Sequence, residues 1–214
     1  MTKLFILFLF SISTFGFNAN FKFIKGDVRL NDKKVSSKNT SIEAPYIITT
    51  GDKSLAVIKI NNSITLKLNK NSNVNLSEMK SLKDPSVELQ AGSVFSFIKN
   101  KIRASKQNFS LKARSVSMGV KGTEFFTSFG KDGDLWMCVN EGTVAVSNPN
   151  SKQVTTVKQG EGVVIKNGDK TSAPKPLPWT RKLNWNYLAD SNKELENKVS
   201  IQEAYSDLLD IDYE

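Results

Sequence analysis

Short runs of alternating apolar residues, joined by tight glycine turns, constrain this chain most, and they are densest between Val116 and Val146. Within this stretch, alternating runs flank Gly122 and Gly142, and a polar turn at 130–134 separates the two halves. A period of two is typical of β-strands, and glycine can take the positive φ angles that a tight change of direction requires. The pattern therefore predicts an all-β fold.

One spacing recurs along the chain: an apolar residue, two residues, glycine, one residue and valine. It occurs three times, and a version one residue longer occurs once, at Phe23/Gly26/Val28, Leu89/Gly92/Val94, Val139/Gly142/Val144 and Val157/Gly160/Val163. The copies are irregularly spaced, so they do not form a fixed-period repeat array. Recurrent strand–glycine–strand corners are expected in a twisted β-solenoid and also in a distorted β-sandwich, and the sequence leaves both architectures open.

The pattern Val-x-Gly-Thr-x-Phe from residue 120, followed by Glu-Gly-x-Val from residue 141, resembles the core of the FecR domain. The resemblance extends from about Ile24 to Gly168. It implies an extracytoplasmic β domain of the kind found in iron-responsive sigma-factor regulators and in stand-alone exported proteins. It also implies that one set of residues forms the structural motif of the domain: Gly119, Gly122, Thr123, Phe125, Glu141, Gly142 and Val144.

The bond between Gly122 and Thr123 is the one position where the resemblance implies chemistry. Some FecR-type regulators cleave themselves at a Gly-Thr bond, when the threonine hydroxyl attacks the preceding carbonyl and the resulting ester hydrolyses. In this chain Gly122 would give access and backbone freedom, and Thr123 would supply the nucleophile. The alternative is a structural glycine at a tight corner, which is favoured because the sequence shows no base for Thr123.

The residue inventory argues against an enzyme. The chain of 214 residues has no histidine and one cysteine, so it lacks the commonest general base, the usual zinc ligand sets and any internal disulfide. Cys138 lies on an alternating strand and is expected to be a buried thiol. The carboxylates are scattered, although Glu124 and Glu141 could approach each other across a hairpin. We expect no catalytic residues, no metal and no cofactor.

Residues 1–16 are predicted to be a signal peptide. Lys3 provides a positive start, Leu4–Phe10 is an uninterrupted apolar run, and Thr14 and Gly16 are small residues suited to a cut after Gly16. The run is short for a membrane span, so cleavage is favoured over a retained anchor. The mature protein is expected to be soluble and periplasmic, or otherwise exported. We expect no cytoplasmic region ahead of this segment of the kind that binds a sigma factor.

The remaining chain is predicted to divide into a β domain over residues 21–170, a proline-rich linker over 171–180 and a helical acidic tail over 181–214. Three prolines in the linker favour extended backbone. In the tail, apolar residues recur at helical spacing and form one stripe, namely Leu188, Leu195, Val199, Tyr205 and Leu209. This stripe either caps an open end of the β domain or binds a groove of a partner protein.

Charge separates the tail from the rest of the chain. Residues 181–214 contain four basic and eight acidic side chains, so the tail carries −4 and the rest of the +9 chain carries +13. A basic body could bind nucleic acid, anionic lipid or an acidic polymer. Lysines that alternate with apolar residues fit a solvated strand face instead, and no aromatic platform for nucleic acid is evident.

We therefore predict a non-catalytic binding, scaffold or signalling module that contacts another envelope protein and binds no nucleic acid. The alternative is a module that binds peptidoglycan or an anionic envelope polysaccharide. The +13 charge of the body suggests this alternative, because it would attract an anionic polymer. The sequence leaves the oligomeric state and the identity of the partner open.

Overall fold

The chain is folded into β-strands throughout the part that the computed structural model describes, which comprises residues 18–43, 45–80, 85–99, 109–120, 122–130, 133–149, 153–166 and 170–177. No α-helix occurs among these residues, and a 3₁₀ turn lies at Ser77–Lys80. The predicted all-β class is confirmed.

The strands in chain order are β1 (Ala19–Lys25), β2 (Val28–Leu30), β3 (Lys33–Lys34), β4 (Ile47–Thr50), β5 (Leu55–Ile60), β6 (Ile64–Leu68), β7 (Asn73–Asn75), β8 (Ser86–Ala91), β9 (Ser93–Ile98), β10 (Phe109–Ala113), β11 (Val116–Val120), β12 (Glu124–Phe129), β13 (Leu135–Glu141), β14 (Thr143–Asn148), β15 (Gln153–Lys158), β16 (Glu161–Lys166), β17 (Lys170–Thr171) and β18 (Lys175–Pro176).

The strands form two sheets of nine strands each. Sheet A has the order β1-β5-β6-β9-β12-β13-β16-β17, with β18 also paired to β16, and sheet B has the order β15-β14-β11-β10-β8-β7-β4-β2-β3. Apart from the edge pair β2 and β3, the spatial order in each sheet follows the chain order. The chain therefore advances along both sheets together and crosses repeatedly between them.

The hydrophobic core lies between the two sheets. The core face of sheet A includes a fully buried row of cross-strand partners, namely Phe21, Ile58, Leu66, Ser96, Phe125 and Val139. Residues of sheet B such as Leu111 and Val146 are equally buried and belong to the same hydrophobic cluster. The Thr127 hydroxyl of β12 donates a hydrogen bond of 3.5 Å to the sulfur of Met118 in β11, so the two sheets are in direct contact.

Four glycines mark places where the chain crosses between the sheets. Gly26 joins β1 to β2, Gly92 joins β8 to β9, Gly142 joins β13 to β14, and Gly160 joins β15 to β16. Their φ angles are all positive, from +74° to +86°. These are the glycines of the recurrent spacing in the sequence, so that spacing marks corners between two sheets and not hairpins within one sheet.

The segment after β16 continues along the edge of sheet A. β17 and β18 pair with β16, and the Leu177 amide donates a hydrogen bond of 2.7 Å to the Gly160 carbonyl. Sheet A thus extends into residues that the proline content predicts to be a linker. Pro176 is compatible with this position because β18 lies at an edge, where a missing amide breaks no ladder.

The predicted signal peptide and the predicted tail helix lie outside the described residues, which begin at Asn18 and end at Leu177. Among the residues that are described, no helix is long and apolar enough to cross a membrane.

Candidate functional site

The two halves of the glycine motif meet at one end of sheet A. Gly122 and Thr123 carry the chain from β11 in sheet B to β12 in sheet A, and Gly142 carries it back from β13 to β14. The φ angle is +61° at Gly122 and +86° at Gly142. A Cβ atom at Gly142 would lie 2.8 Å from the Gly122 carbonyl oxygen and 2.8 Å from Thr123 Cγ2. Glycine is therefore needed at position 142 for the two corners to touch.

The other residues of the motif lie in the strands that flank these corners. Phe125 and Val144 are fully buried in the core between the sheets. Gly119 lies in β11 opposite Ala145 of β14, and Glu141 is exposed at the end of β13. The structure thus brings Gly122, Thr123 and Gly142 together, while the remaining motif residues anchor or end the neighbouring strands.

The Thr123 hydroxyl is buried and has no hydrogen-bond partner among the described residues. Thr123 is 1% exposed, its carbonyl oxygen accepts a hydrogen bond of 2.9 Å from the Ile98 amide, and its Oγ1 makes no bond. Attack on the Gly122 carbonyl would need a group that takes the hydroxyl proton. Because none contacts Oγ1 in this part of the chain, the geometry favours a structural corner, and cleavage after Gly122 stays a prediction.

The two glutamates of the motif region lie on neighbouring strands of sheet A. Glu124 and Glu141 are cross-strand partners in the β12–β13 pair, as the sequence allowed. Glu124 Oε2 accepts a hydrogen bond of 2.8 Å from Asn140 Nδ2. The Glu124 carboxylate is therefore held by an amide on its own sheet and is not bonded to the adjacent Thr123 hydroxyl.

Two equivalent corners show how a hydroxyl is satisfied in this fold. Ser54 Oγ accepts a hydrogen bond of 2.8 Å from the amide that follows Gly26, and Ser72 Oγ accepts one of 2.9 Å from the amide that follows Gly92. In both corners the hydroxyl binds the backbone next to a glycine of positive φ. Thr123 instead presents its methyl group to the facing glycine, which leaves its hydroxyl without this bond.

Thr123→Val is expected to raise the free energy of unfolding by about 0.5–1.5 kcal/mol, because it removes a buried hydroxyl without a partner and keeps the methyl contact. Thr123→Ala also removes that contact and is expected to lower the free energy of unfolding by about 1 kcal/mol. Urea denaturation measures both changes. A valine variant that is less stable than the wild type would show that the hydroxyl is bonded in the folded protein.

The face of sheet A that points away from sheet B carries a second row of cross-strand partners. This row was not predicted from the sequence. This outer row consists of Phe23, Val57, Lys67, Phe95, Phe126, Cys138 and Gly162. Four of its members are each 2% exposed although none belongs to the core cluster between the sheets, namely Val57, Phe95, Phe126 and Cys138. Lys67 Nζ lies 5.3 Å from the centroid of the Phe95 ring, at the distance of a cation–π contact.

Consecutive apolar residues are the sequence signal that could have revealed the outer row. Strands with one solvated face alternate apolar and polar residues, whereas strands buried on both faces are apolar without interruption. Several strands of sheet A contain such runs, at 55–58, 94–95, 125–126, 137–139 and 163–165. These runs indicate that sheet A is covered on both sides.

Cys138 is a buried thiol, as its strand position predicted. Within the described ranges, no group of three or more histidine, cysteine, aspartate or glutamate residues could hold a metal ion. The residues predicted to bind a partner lie outside those ranges, namely Leu188, Leu195, Val199, Tyr205 and Leu209.

Comparisons with known proteins agree with this architecture. The model of the FecR protein family matches residues 46–145, which include both halves of the glycine motif. Two crystal structures of a protein from Parabacteroides distasonis, provisionally described as an anti-sigma factor, are similar with a TM-score of 0.52 and 18% identity, over 61% of this chain and 59% of that chain. The chain thus spans less than two thirds of that protein, and at this identity the likeness concerns the fold alone. No curated protein matches the chain in sequence.

Proposed function

Since the FecR family model matches residues 46–145, we propose that this chain is a non-catalytic binding module of the cell envelope, which contacts another envelope protein in a scaffold or signalling role. The family match is the observation that carries the proposal. The likeness in fold to a protein described as an anti-sigma factor supports a regulatory role over an enzymatic one.

The geometry of the candidate site supports binding over catalysis. The Thr123 hydroxyl and the Cys138 thiol, which are the nucleophiles considered from the sequence, are both buried. The Glu124 carboxylate is held by Asn140 and is not bonded to Thr123. An acyl-transfer or hydrolytic centre needs an accessible nucleophile with a neighbouring base, and these residues do not form one.

The proposed location is the periplasm, after removal of residues 1–16. This rests on the positive charge at Lys3, the apolar run Leu4–Phe10 and the small residues before the proposed cut.

The architecture that we propose for the two sheets is a twisted β-solenoid. The chain advances along both sheets together and has a positive-φ glycine at five of the crossings between them, which supports a solenoid over a distorted sandwich.

A basic hairpin favours the second candidate, which is binding to peptidoglycan or an anionic polysaccharide. Arg29, Lys33 and Lys34 are exposed on β2 and β3 at the edge of sheet B, and Arg29 lies opposite Lys34 in the pair. Lysine on an edge strand also prevents pairing with another chain, so these cations have a structural role as well. Asp27 lies 3.2 Å from Arg29 and partly neutralises the cluster.

Crosslinking in cells tests the proposed function. A tagged full-length chain is crosslinked, captured from the envelope fraction and analysed by mass spectrometry, with the tag exported behind residues 1–16 as the control. We expect one envelope protein to be enriched and the mature N-terminus to lie between Phe17 and Phe21. An intact Met1 in a cytoplasmic fraction would contradict export. Retention on purified sacculi that is lost in high salt and in Lys33→Glu/Lys34→Glu, with no enriched protein, would favour the second candidate.

A further inference from the structure

The outer row is an apolar surface that packing between the two sheets does not bury. Phe95 and Phe126 are cross-strand partners at its centre, and Val57 and Cys138 continue it on either side. Each of these four side chains is 2% exposed, and Val164 on the same face is 8% exposed. None belongs to the hydrophobic cluster between the sheets. A face of this kind requires a cover, because phenylalanine and valine left in water lose the free energy that burial supplies.

The described chain ends directly on this face. β18 pairs with β16 so that Lys175 lies opposite Gly162, the last member of the outer row. The side chain of Leu177 then occupies the space over Gly162, where a Cβ atom would collide with its Cδ1 atom. Gly162 therefore admits Leu177 onto the outer face of sheet A, and the next residues start from the end of the row.

The length of the segment that follows suits the row. The outer row crosses seven strands of sheet A, from β1 to β16, and at about 4.8 Å per strand spacing this corresponds to roughly 29 Å. The 37 residues of segment 178–214 contain the predicted helix with its apolar stripe. A helix of about 20 residues is roughly 30 Å long, so it can reach from one edge of the sheet to the other.

The chemistry of the two surfaces is also complementary. The stripe of the segment is apolar, like the centre of the row, and residues 181–214 carry a net charge of −4. The outer face bears cations within and beside the row, at Lys59, Lys67 and Lys175. Opposite charge favours approach of the acidic segment, and burial of the stripe stabilises the contact.

We propose that segment 178–214 of this chain packs across the outer row of sheet A, with its apolar stripe against Phe95, Phe126 and Cys138. The segment is then a third layer of the domain in the same molecule. It covers a face of the sheet and does not cap an open end or an edge.

Cys138 provides the test, because it is the single cysteine of the chain and lies within the row. In the full-length protein, we expect a maleimide to label Cys138 slowly under native conditions. In Leu195→Asp/Val199→Asp, which places charges in the apolar stripe, we expect labelling at least about tenfold faster, since the cover opens without global unfolding. Asn197→Asp adds charge away from the stripe and is expected to label at the wild-type rate.

Two further measurements distinguish packing of the segment from global unfolding and from association of two copies. Val146→Cys in a Cys138→Ser background places a thiol in the core between the sheets and reports global unfolding, so its labelling should not change in the stripe variant. Equal acceleration at both positions, or a stripe variant that labels at the wild-type rate, would overturn the proposal. Labelling of wild-type Cys138 that accelerates on dilution would overturn it in favour of a second copy of the chain as the cover. The test uses no partner, so it is independent of the proposed function.

Discussion

Gly92→Ala is expected to lower the free energy of unfolding by about 2–4 kcal/mol. Gly92 has a φ angle of +74°, and a Cβ atom there would lie 2.5 Å from the Asn71 carbonyl oxygen and 2.5 Å from Ser72 Cα. Both are backbone atoms of the facing corner, so they cannot rotate away as the end of a side chain could. The same corner is closed by the Ser72 hydroxyl, which accepts from the Ser93 amide and donates to the Ser93 carbonyl, each at 2.9 Å. Urea denaturation measures the loss.

Gly119→Ala is the matched control for this prediction. Gly119 lies within β11, its φ is not positive, and a Cβ atom there would meet only the Ala145 carbonyl oxygen at 3.9 Å. An alanine that fits the native backbone reduces the freedom of the unfolded chain, so the variant is expected to be neutral or more stable by up to about 1 kcal/mol. If Gly92→Ala were as stable as Gly119→Ala, the crossing corners would not need glycine.

The sequence located the glycine corners but not the elements that they connect. The recurrent spacing around Gly26, Gly92 and Gly142 is a local pattern, and it correctly marked positive φ angles. The contacts that make each glycine necessary are not local. Gly142 faces Thr123, and Gly92 faces Ser72, at separations that no strand periodicity encodes. Which sheet a strand joins depends on these distant contacts, so the spacing marked the corners without assigning the flanking strands to sheets.

Lysines that alternate with apolar residues were expected to occupy solvated outward positions. Lys67 shows that alternation along one strand does not determine what surrounds a lysine across the sheet. Along β6 it does alternate with Leu66 and Leu68, but across the sheet it lies between Val57 and Phe95. Cross-strand neighbours depend on register, which a single strand does not specify. The uninterrupted apolar runs of the neighbouring strands could have predicted that this face of sheet A is buried, because such runs require burial on both faces of a sheet.

Proline content predicted a linker over residues 171–180, but it did not predict that strands within residues 171–177 would pair with sheet A. Three prolines in this segment favour extended backbone, and within residues 171–177 the strand residues are Thr171, Lys175 and Pro176. Extended backbone at the edge of a sheet can pair with it, and Lys175 and Pro176 do pair with β16. The difference between a linker and an edge strand depends on whether an adjacent edge is available, which is a property of the folded domain.

Phe126→Ala is expected to lower the free energy of unfolding by about 2–4 kcal/mol, close to the roughly 3–5 kcal/mol expected for Phe125→Ala. The two residues are adjacent in β12 and point to opposite faces of sheet A. Phe125 is fully buried in the core, and Phe126 is 2% exposed between Phe95 and Cys138 in the outer row. Urea denaturation of the full-length protein measures both losses, with Val154→Ala, at a side chain that is 66% exposed, as the control that should change little.

The comparison between neighbouring phenylalanines decides whether sheet A is an outer layer or a middle layer. A phenylalanine on a solvated sheet face contributes little, and its replacement would change the free energy of unfolding by less than about 1 kcal/mol. A loss at Phe126 of that size would make the outer row a surface open to water and would remove the basis for packing of segment 178–214. A loss near that of Phe125 requires a cover on each side, and since sheet B can cover only one face, the second cover has to come from elsewhere in the chain or from a second copy.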